Sequence, residues 1–270
     1  MAKKKKQYKR STFDKIVNVI CYVLLVYFSI NEFSHLYREL DTIKKAPELY
    51  ERHYTFNSTF PFVGSYFLMK PEGYNPKYKY PLVVDLHGIS KHAYAAEQLA
   101  DPKFRKRYPF FVMIPIAPVR AFWLSPNDKA YRMPRNIPYP DHFTHVITAV
   151  NDLKEEYQID ENKIILTGHS MGASAVIGAL DRYPHTFSAG IASAGAWSPN
   201  EISNIKKPLF IYHGTNDRQV PVSFSMQIKN AARSQKKLMD VLFLKGQGHS
   251  IGTLVYGNSR VWDDVLKVVK

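Results

Sequence analysis

The sequence has one cysteine, Cys21, among its 270 residues. A lone cysteine cannot form an internal disulfide, and the region that folds cannot hold a metal ion through cysteine thiolates. This absence does not fix the compartment, because many exported domains contain no disulfide. Ile20, directly before Cys21, is too bulky for a lipoprotein cleavage signal, so we do not expect lipidation.

Acidic residues are also scarce, since 23 Asp and Glu stand against 37 Lys and Arg in a chain of net charge +14. Residues 1–15 contain seven basic residues and one Asp, which places +6 of that charge at the N-terminus. The lysine run adjoins an apolar segment, so orientation in a membrane explains it better than a phosphate-binding face. We therefore expect no nucleic-acid partner.

One uncharged apolar segment, residues 16–30, follows the basic residues. This order is typical of a secretory signal or a signal anchor. A helix of that length rises about 22 Å, which is short of the roughly 30 Å hydrocarbon core of a bilayer. Poor cleavage positions favour an uncleaved membrane anchor, with the basic end cytoplasmic and the rest of the chain periplasmic or extracellular. Cleavage would instead release a secreted protein, and an amphipathic or buried N-terminal helix is the other alternative.

The remaining chain is predicted to hold one folded domain. Residues 31–52 are polar with scattered apolar positions and predict a partly helical linker, and residues 53–270 predict the domain. Aromatic and β-branched residues over 53–57 and 60–71 indicate a hairpin at its start. No internal repeat is visible.

Apolar strands and amphipathic helices then alternate along the domain. Strands are predicted over 80–88, 109–117, 162–168, 187–195, 207–214 and 238–246, and helices over 142–157, 171–184, 222–235 and 259–269. Near-continuous apolar strands between helices predict the α/β class, with a mostly parallel sheet covered on both faces. In such sheets the chemistry lies at the carboxyl ends of the strands.

The segment "LTGHSMGAS" places Ser170 between Gly168 and Gly172, after a predicted strand and before a predicted helix. This is the setting of a nucleophile elbow, in which the glycines let strand and helix approach closely while the turn exposes the serine hydroxyl. The alternative is a tight corner without chemistry.

A serine hydroxyl is a weak nucleophile, so it needs a general base. Among ten histidines, His249 is the candidate because it lies in a glycine-rich loop after the last strand, whereas most of the others lie before the sheet, on helices, in a strand or within the elbow. Asp217, after the preceding strand, is the candidate acid that orients His249, with a turn or cap aspartate as the alternative. Serine, acid and histidine in this chain order are typical of α/β-hydrolases.

Two backbone amides are candidates for an oxyanion hole. Met171 begins the helix after Ser170, and helix N-termini favour negative charge. Ile89, in the segment "LHGIS" after an earlier strand, is the expected second donor. An ordinary strand-ending turn is the alternative for that segment.

Four segments carry a resemblance to a known family: "YPLVVDLHG", "ENKIILTGHSMGA", "HGTNDRQVP" and "GQGHS". Together they resemble the α/β-hydrolase esterases of the polyhydroxybutyrate-depolymerase, feruloyl-esterase and predicted-peptidase group, over roughly residues 55–268. The resemblance implies an eight-stranded hydrolase sheet, and the length of the domain predicts no large lid domain. The resemblance also implies the triad Ser170, Asp217 and His249 and the oxyanion donors Ile89 and Met171.

The sequence therefore predicts a serine hydrolase that cleaves small or oligomeric carboxylic esters through an acyl-enzyme intermediate, without a metal or cofactor. A peptidase of the same fold and a membrane-anchored, non-catalytic scaffold are the alternatives. His87, Trp123 and Trp197 lie at or after strand ends and are predicted to line the substrate pocket. Such aromatic residues could stack on a phenolic acyl group or a sugar, or could merely fill space.

Overall fold

The computed structural model describes residues 41–57, 62–117, 122–128, 143–236 and 238–269. The predicted basic and apolar segments, residues 1–15 and 16–30, lie outside these ranges. Within the described ranges, no helix combines the length and apolar character needed to cross a membrane.

Eight strands form one sheet. They are β1 (Glu51–Asn57), β2 (Phe62–Met69), β3 (Tyr80–Leu86), β4 (Phe111–Pro115), β5 (Ile159–His169), β6 (Ala189–Ser193), β7 (Leu209–Gly214) and β8 (Met239–Leu244). The helices are α1 (Asp41–Lys45), α2 (Tyr94–Leu99), α3 (Pro102–Arg107), α4 (Phe143–Glu156), α5 (Met171–Arg182), α6 (Ser223–Ser234), α7 (Gly252–Tyr256) and α8 (Ser259–Val268), and a 3₁₀ turn spans Pro47–Leu49.

The strand order across the sheet is β1-β2-β4-β3-β5-β6-β7-β8. Strand β2 pairs antiparallel with both β1 and β4, and all the remaining neighbours pair parallel. The predicted hairpin is the β1–β2 pair, and the prediction of a mostly parallel, eight-stranded sheet is confirmed. The parallel strands place the ends of β3, β5, β7 and β8 along one edge, which is where the candidate site lies.

Both faces of the sheet are buried, as the continuous apolar strands predict. In β3, Leu82 and Val84 pack in one core with helices α4, α5 and α6, whereas Val83 packs in the opposite core with α2, α7 and α8. Burial on both faces explains why this strand carries no polar alternation. The one buried carboxyl in it, Asp85, accepts hydrogen bonds from the Ala96 amide at 2.8 Å and the Thr167 hydroxyl at 2.9 Å.

Several short elements were not predicted. Helices α2, α3 and α7 have six, six and five residues, too few to show a periodic apolar pattern. The strand predicted over 187–195 is shorter, because Ala194 has a φ of 56° and leaves the extended conformation. The helix predicted over 171–184 ends at Arg182, because Pro184 disfavours helical backbone in Tyr183, the residue before it.

Part of the predicted linker packs against the domain. The Thr42 hydroxyl donates to the Ala93 carbonyl at 3.2 Å and accepts from the Ala93 amide at 3.1 Å. The Tyr50 hydroxyl donates to the Ala96 carbonyl at 3.0 Å, and β1 already begins at Glu51. Residues 41–52 therefore fold onto the domain that was predicted to begin at 53. Ile43 and Tyr50 are also buried in the core that contains α2. Two buried apolar side chains in a mostly polar segment are too few to show this packing in the sequence.

Candidate active site

Ser170 stands alone between β5 and α5, in a sharp turn. Its φ of 57° and ψ of −116° form a conformation that a residue with a side chain rarely adopts. The Ser170 amide donates to the Ser193 carbonyl of β6 at 2.9 Å, which ties the turn to the neighbouring strand. Strain of this kind persists only where the surrounding packing enforces it, and it concentrates at functional sites.

The two glycines around Ser170 provide that packing. A Cβ atom on Gly168 would lie 2.5 Å from the Gly172 carbonyl carbon, and one on Gly172 would lie 1.9 Å from the Leu86 carbonyl oxygen. Both contacts involve backbone atoms, which cannot rotate away. Glycine is therefore needed at both positions for α5 to approach β3 and β5 so closely.

His249 links Ser170 to Asp217. Its Nε2 lies 2.9 Å from Ser170 Oγ, and its Nδ1 lies 2.7 Å from Asp217 Oδ2. An ionised carboxylate can only accept, so Nδ1 carries the proton and Nε2 is free to accept from the serine hydroxyl. The structure thus brings together the three predicted residues in the order needed for proton removal from serine.

The Asp217 carboxylate is buried and held on both oxygens. Oδ1 accepts the Gln219 amide at 2.8 Å and the Val220 amide at 2.9 Å. Oδ2 accepts from His249 and also lies 3.3 Å from His213 Nε2. The aspartate therefore does cap its own turn, as the alternative supposed, and its second oxygen still faces the imidazole.

The predicted oxyanion donors lie in two different segments near the serine. Met171 is the first residue of α5, so its N–H has no partner within the helix. Ile89 lies in a turn closed by a 2.9 Å hydrogen bond from the Lys91 amide to the Gly88 carbonyl. A Cβ atom on Gly88 would lie 3.5 Å from Ser170 Cβ, so this turn passes directly beside the hydroxyl. Ile89 and Met171 both line the cavity above Ser170, and their role as donors stays a prediction.

A cavity of about 380 Å³ opens over Ser170. Its wall mixes apolar and uncharged polar side chains with the two histidines His169 and His249. The lining residues are Ile89, Ser90, Tyr94, Phe122, His169, Ser170, Met171, Ser174, Ala196, Gln219, Val220, His249 and Ser250. The volume falls within the range typical of small-molecule sites.

The three residues predicted to line this pocket lie behind its wall. Trp123 is 1% exposed and donates its indole N–H to the His87 carbonyl at 3.0 Å. Trp197 is fully buried, with its ring so close to α5 that a Cβ on Gly178 would lie 2.3 Å from it. His87 is also buried, and its Nε2 accepts the Ala117 amide at 3.2 Å. The prediction that these residues line the cavity is wrong, because their polar atoms are satisfied by backbone groups and their rings fill the core.

Other lining residues carried weaker sequence signals. Gln219 and Val220 follow Arg218 in the same loop as Asp217, so their place beside the carboxylate could have been inferred from that loop. Tyr94 begins helix α2, which was not predicted. Its ring packs edge-on against His169 at 4.8 Å, and His169 in turn lies 4.9 Å from the His249 ring.

Burial keeps the neighbouring histidines neutral. It lowers the pKa of His87 to about 4 and that of His169 to about 3, in the second case with help from the adjacent His249. His169 Nδ1 pairs with the Ser193 hydroxyl at 2.9 Å, so its hydrogen bond is to β6 and not to Ser170. Among the histidines that line the cavity, His249 is the one bonded to both serine and carboxylate.

The sequence comparison identifies the family. A family model described as "Putative esterase" matches residues 65–251, and the chain belongs to this family. That membership supports an ester hydrolase and confirms the predicted resemblance to α/β-hydrolase esterases. No curated protein sequence matches the chain significantly.

Solved structures show the same fold. A thermostable esterase superposes with a TM-score of 0.73 at 24% identity, covering 83% of this chain and 64% of that one. A CE1 ferulic acid esterase from Anaeromyces mucronatus gives 0.57 at 18%, covering 77% and 87%. An acylaminoacyl peptidase from Pyrococcus horikoshii gives 0.61 at 16%, covering 84% and 43%. The chain therefore has the predicted α/β-hydrolase fold while spanning less than two thirds of the first and third of these proteins, and no large lid domain occurs in the described part of the chain.

Proposed function

We propose that this protein hydrolyses carboxylic esters through an acyl-enzyme intermediate on Ser170. The observation that carries the proposal is the continuous hydrogen-bonded chain from Ser170 Oγ through His249 to Asp217, at 2.9 and 2.7 Å, beneath an open cavity. The strained turn at Ser170 and membership of an esterase family support the same activity.

The reaction would run in two steps. His249 Nε2 takes the hydroxyl proton as Ser170 Oγ attacks the ester carbonyl, and it returns that proton to the departing alcohol. Water then attacks the acyl-enzyme with His249 again as the base, which releases the acid and restores the serine. Asp217 holds the Nδ1–H tautomer and stabilises the imidazolium, while the Ile89 and Met171 amides stabilise the oxyanion. These steps require no metal or cofactor.

A fluorophosphonate probe and short p-nitrophenyl esters test this proposal. Wild-type protein is expected to react with the probe and to turn over the esters, whereas Ser170→Ala is expected to do neither. Ser234→Ala is the matched control, because that serine is exposed at the end of α6 and donates to the Ala231 carbonyl of its own helix at 2.8 Å. A folded wild type that neither labels nor hydrolyses would leave the non-catalytic scaffold as the better explanation.

Peptide hydrolysis is the main competing activity, because acylaminoacyl and dipeptidyl peptidases share the fold. Those proteins are longer, and this chain covers 42% and 35% of them. We favour esters because the family model that matches residues 65–251 is described as an esterase. Matched alanyl ester and alanyl anilide substrates distinguish the two, because serine peptidases cleave both whereas we expect turnover of the ester alone. Anilide turnover that Ser170→Ala abolishes would reverse the preference.

We also propose that residues 1–30 anchor the chain in a membrane with the catalytic domain exported. The support is the order of seven basic residues followed by an uncharged apolar segment. The full-length protein is expected to sediment with membranes and to resist an alkaline wash, while a chain beginning at residue 41 is expected to stay in the supernatant. Full-length protein in the soluble fraction without processing would contradict the anchor.

A further inference from the structure

A second histidine contacts Asp217 and has no role in the mechanism above. His213 lies in β7, one residue before its end, with a side chain that is fully buried. Its Nε2 lies 3.3 Å from Asp217 Oδ2, on the oxygen that also receives the 2.7 Å hydrogen bond from His249. Two imidazoles therefore converge on one carboxylate oxygen.

The partners of His213 fix its tautomer. Its Nε2 lies 2.8 Å from the Val220 carbonyl, and its Nδ1 lies 2.7 Å from the Ser225 hydroxyl. A carbonyl can only accept, so Nε2 carries the proton and Nδ1 accepts from the hydroxyl. Burial lowers the pKa of His213, so the ring is neutral around pH 7 and the contact with Asp217 is not an ion pair.

This arrangement acts on Asp217 in two ways. The positive Nε2–H edge of His213 lies 3.3 Å from Oδ2, which is an electrostatic contact, while its hydrogen bond goes to the Val220 carbonyl. The same N–H holds the carbonyl of Val220, and the Val220 amide donates to Asp217 Oδ1 at 2.9 Å. The neutral His213 ring thus places a positive N–H edge near Oδ2, and it also holds the backbone of Val220, which donates to Oδ1.

We propose that His213 is a positioning residue that aligns the Asp217 carboxylate with His249, directly and through Val220. This inference rests on the proposed function, because the alignment of Asp217 affects a rate only if His249 acts as the base.

Three substitutions separate positioning from packing. In His213→Gln, the side-chain amide nitrogen can take the place of Nε2 and donate to Val220. In His213→Asn the amide nitrogen reaches only the place of Nδ1, and His213→Leu has no donor. We expect Asn and Leu to lower kcat roughly 10- to 100-fold with little change in KM, and Gln to keep kcat within roughly threefold of wild type.

A double-mutant cycle removes the effect of stability. His213→Asn and His213→Leu are each made in the full-length wild-type chain and in the full-length Asp217→Ala chain. The kcat of every variant is expressed per folded protein. A residue that acts through Asp217 is expected to cause no further loss of kcat once Asp217 is absent. Equal kcat for Gln, Asn and Leu, or the same fold-loss in both backgrounds, would reduce His213 to a packing residue.

The outcomes also separate this inference from the proposed function. Wild-type protein without ester turnover would overturn both together. An active wild type whose Gln variant is as impaired as its Asn variant would overturn the positioning role alone. Rescue by Gln, together with non-additivity against Asp217→Ala, would establish it.

Discussion

Ser170 and Ile89 face the same cavity from two loops that are held in different ways. The elbow at Ser170 is fixed by backbone packing so close that Gly168 and Gly172 admit no side chain. The turn at Ile89 is closed by one good hydrogen bond and a second of 3.4 Å from the Gly88 amide to the His92 carbonyl, and the Ile89 side chain is 48% exposed. The position of Ser170 therefore depends on close backbone packing, whereas that of Ile89, the proposed oxyanion donor, depends on a few polar contacts.

This difference predicts how substitutions in the two loops rank. Changes that add one atom at the elbow act on the fold itself, because rigid backbone lies on both sides. Substitutions of Ile89 are expected to leave the fold intact. They are expected to lower activity only if they remove the backbone N–H. The following predictions run from the largest expected effect to the smallest.

Gly172→Ala should give the largest effect. The added methyl would lie 1.9 Å from the Leu86 carbonyl oxygen, so β3 and α5 must separate. We expect a loss of about 4 kcal/mol or more in the free energy of unfolding, with loss of activity, measured by urea denaturation. Gly248→Ala is the control, because nothing lies within 4 Å of a Cβ there. Equal stability of the two variants would show that the elbow is not held by packing.

Asp217→Asn should leave the fold intact and remove most of the rate. The side-chain amide can turn its oxygen toward the Gln219 and Val220 amides, but its NH₂ group would then face His249 and impose the wrong tautomer. We expect kcat to fall about 10³- to 10⁴-fold with KM nearly unchanged, as for aspartates in this role. Asp240→Asn, exposed on β8, is the matched control. A loss below tenfold would argue against a Ser170–His249–Asp217 relay of hydrogen bonds.

Ile89→Pro and Ile89→Ala test the backbone donor against its side chain. Proline has no N–H, and loss of one oxyanion donor costs about 10²- to 10³-fold in kcat. Alanine keeps the N–H and removes an exposed side chain, so we expect a change below roughly threefold. Near-equal rates for the two variants, with folding verified by circular dichroism, would move the donor to another residue of the turn.

The pH dependence of stability tests His87, the buried residue that precedes the Ile89 turn. The pKa of His87 is lowered to about 4 by burial, whereas an unfolded chain titrates near pH 6.5. The neutral ring therefore stabilises the fold fully above pH 6.5, and that contribution is lost as the pH falls toward 4. We expect His87→Gln, which keeps an acceptor for the Ala117 amide, to lose about 2 kcal/mol less than wild type between pH 7 and pH 4.5.

Urea denaturation of both proteins at each pH measures this difference in the free energy of unfolding. The pKa of Asp85 is raised to about 6 by burial, so this carboxyl favours the fold as the pH falls below 6 and opposes the histidines. That contribution is shared by wild type and His87→Gln and cancels in the difference. Parallel pH profiles for the two proteins would mean that His87 does not titrate on unfolding.

The sheet and the three hydrogen-bonded residues of the site could be predicted from the sequence. Apolar strands with glycine at their ends are local patterns, and Ser170, Asp217 and His249 each stand in a short segment of typical composition. Chain order then placed them at one edge of a parallel sheet. Their hydrogen bonds depend on loop geometry, which the order alone does not give.

The pocket was predicted poorly, for reasons of packing. Trp197 and Trp123 follow strand ends, yet each indole N–H meets a backbone carbonyl and each ring fills the core. Tyr94 lines the cavity from a six-residue helix that leaves no periodic signal. The sequence places His213 in a predicted strand and indicates no role for it, because its contact with Asp217 arises only when β7 and its loop are folded.

The central claim is that the elbow makes Ser170 a nucleophile, and the acyl-enzyme itself is the direct test. Wild-type protein would be mixed with p-nitrophenyl acetate, quenched in acid within the first turnover and analysed by peptide mass spectrometry. The account predicts a burst of one p-nitrophenol per active site and an acetyl group on the peptide at Ser170, with both absent from Ser170→Ala. An acetyl group on another residue, or turnover without a burst in the wild type and unchanged in Ser170→Ala, would contradict it.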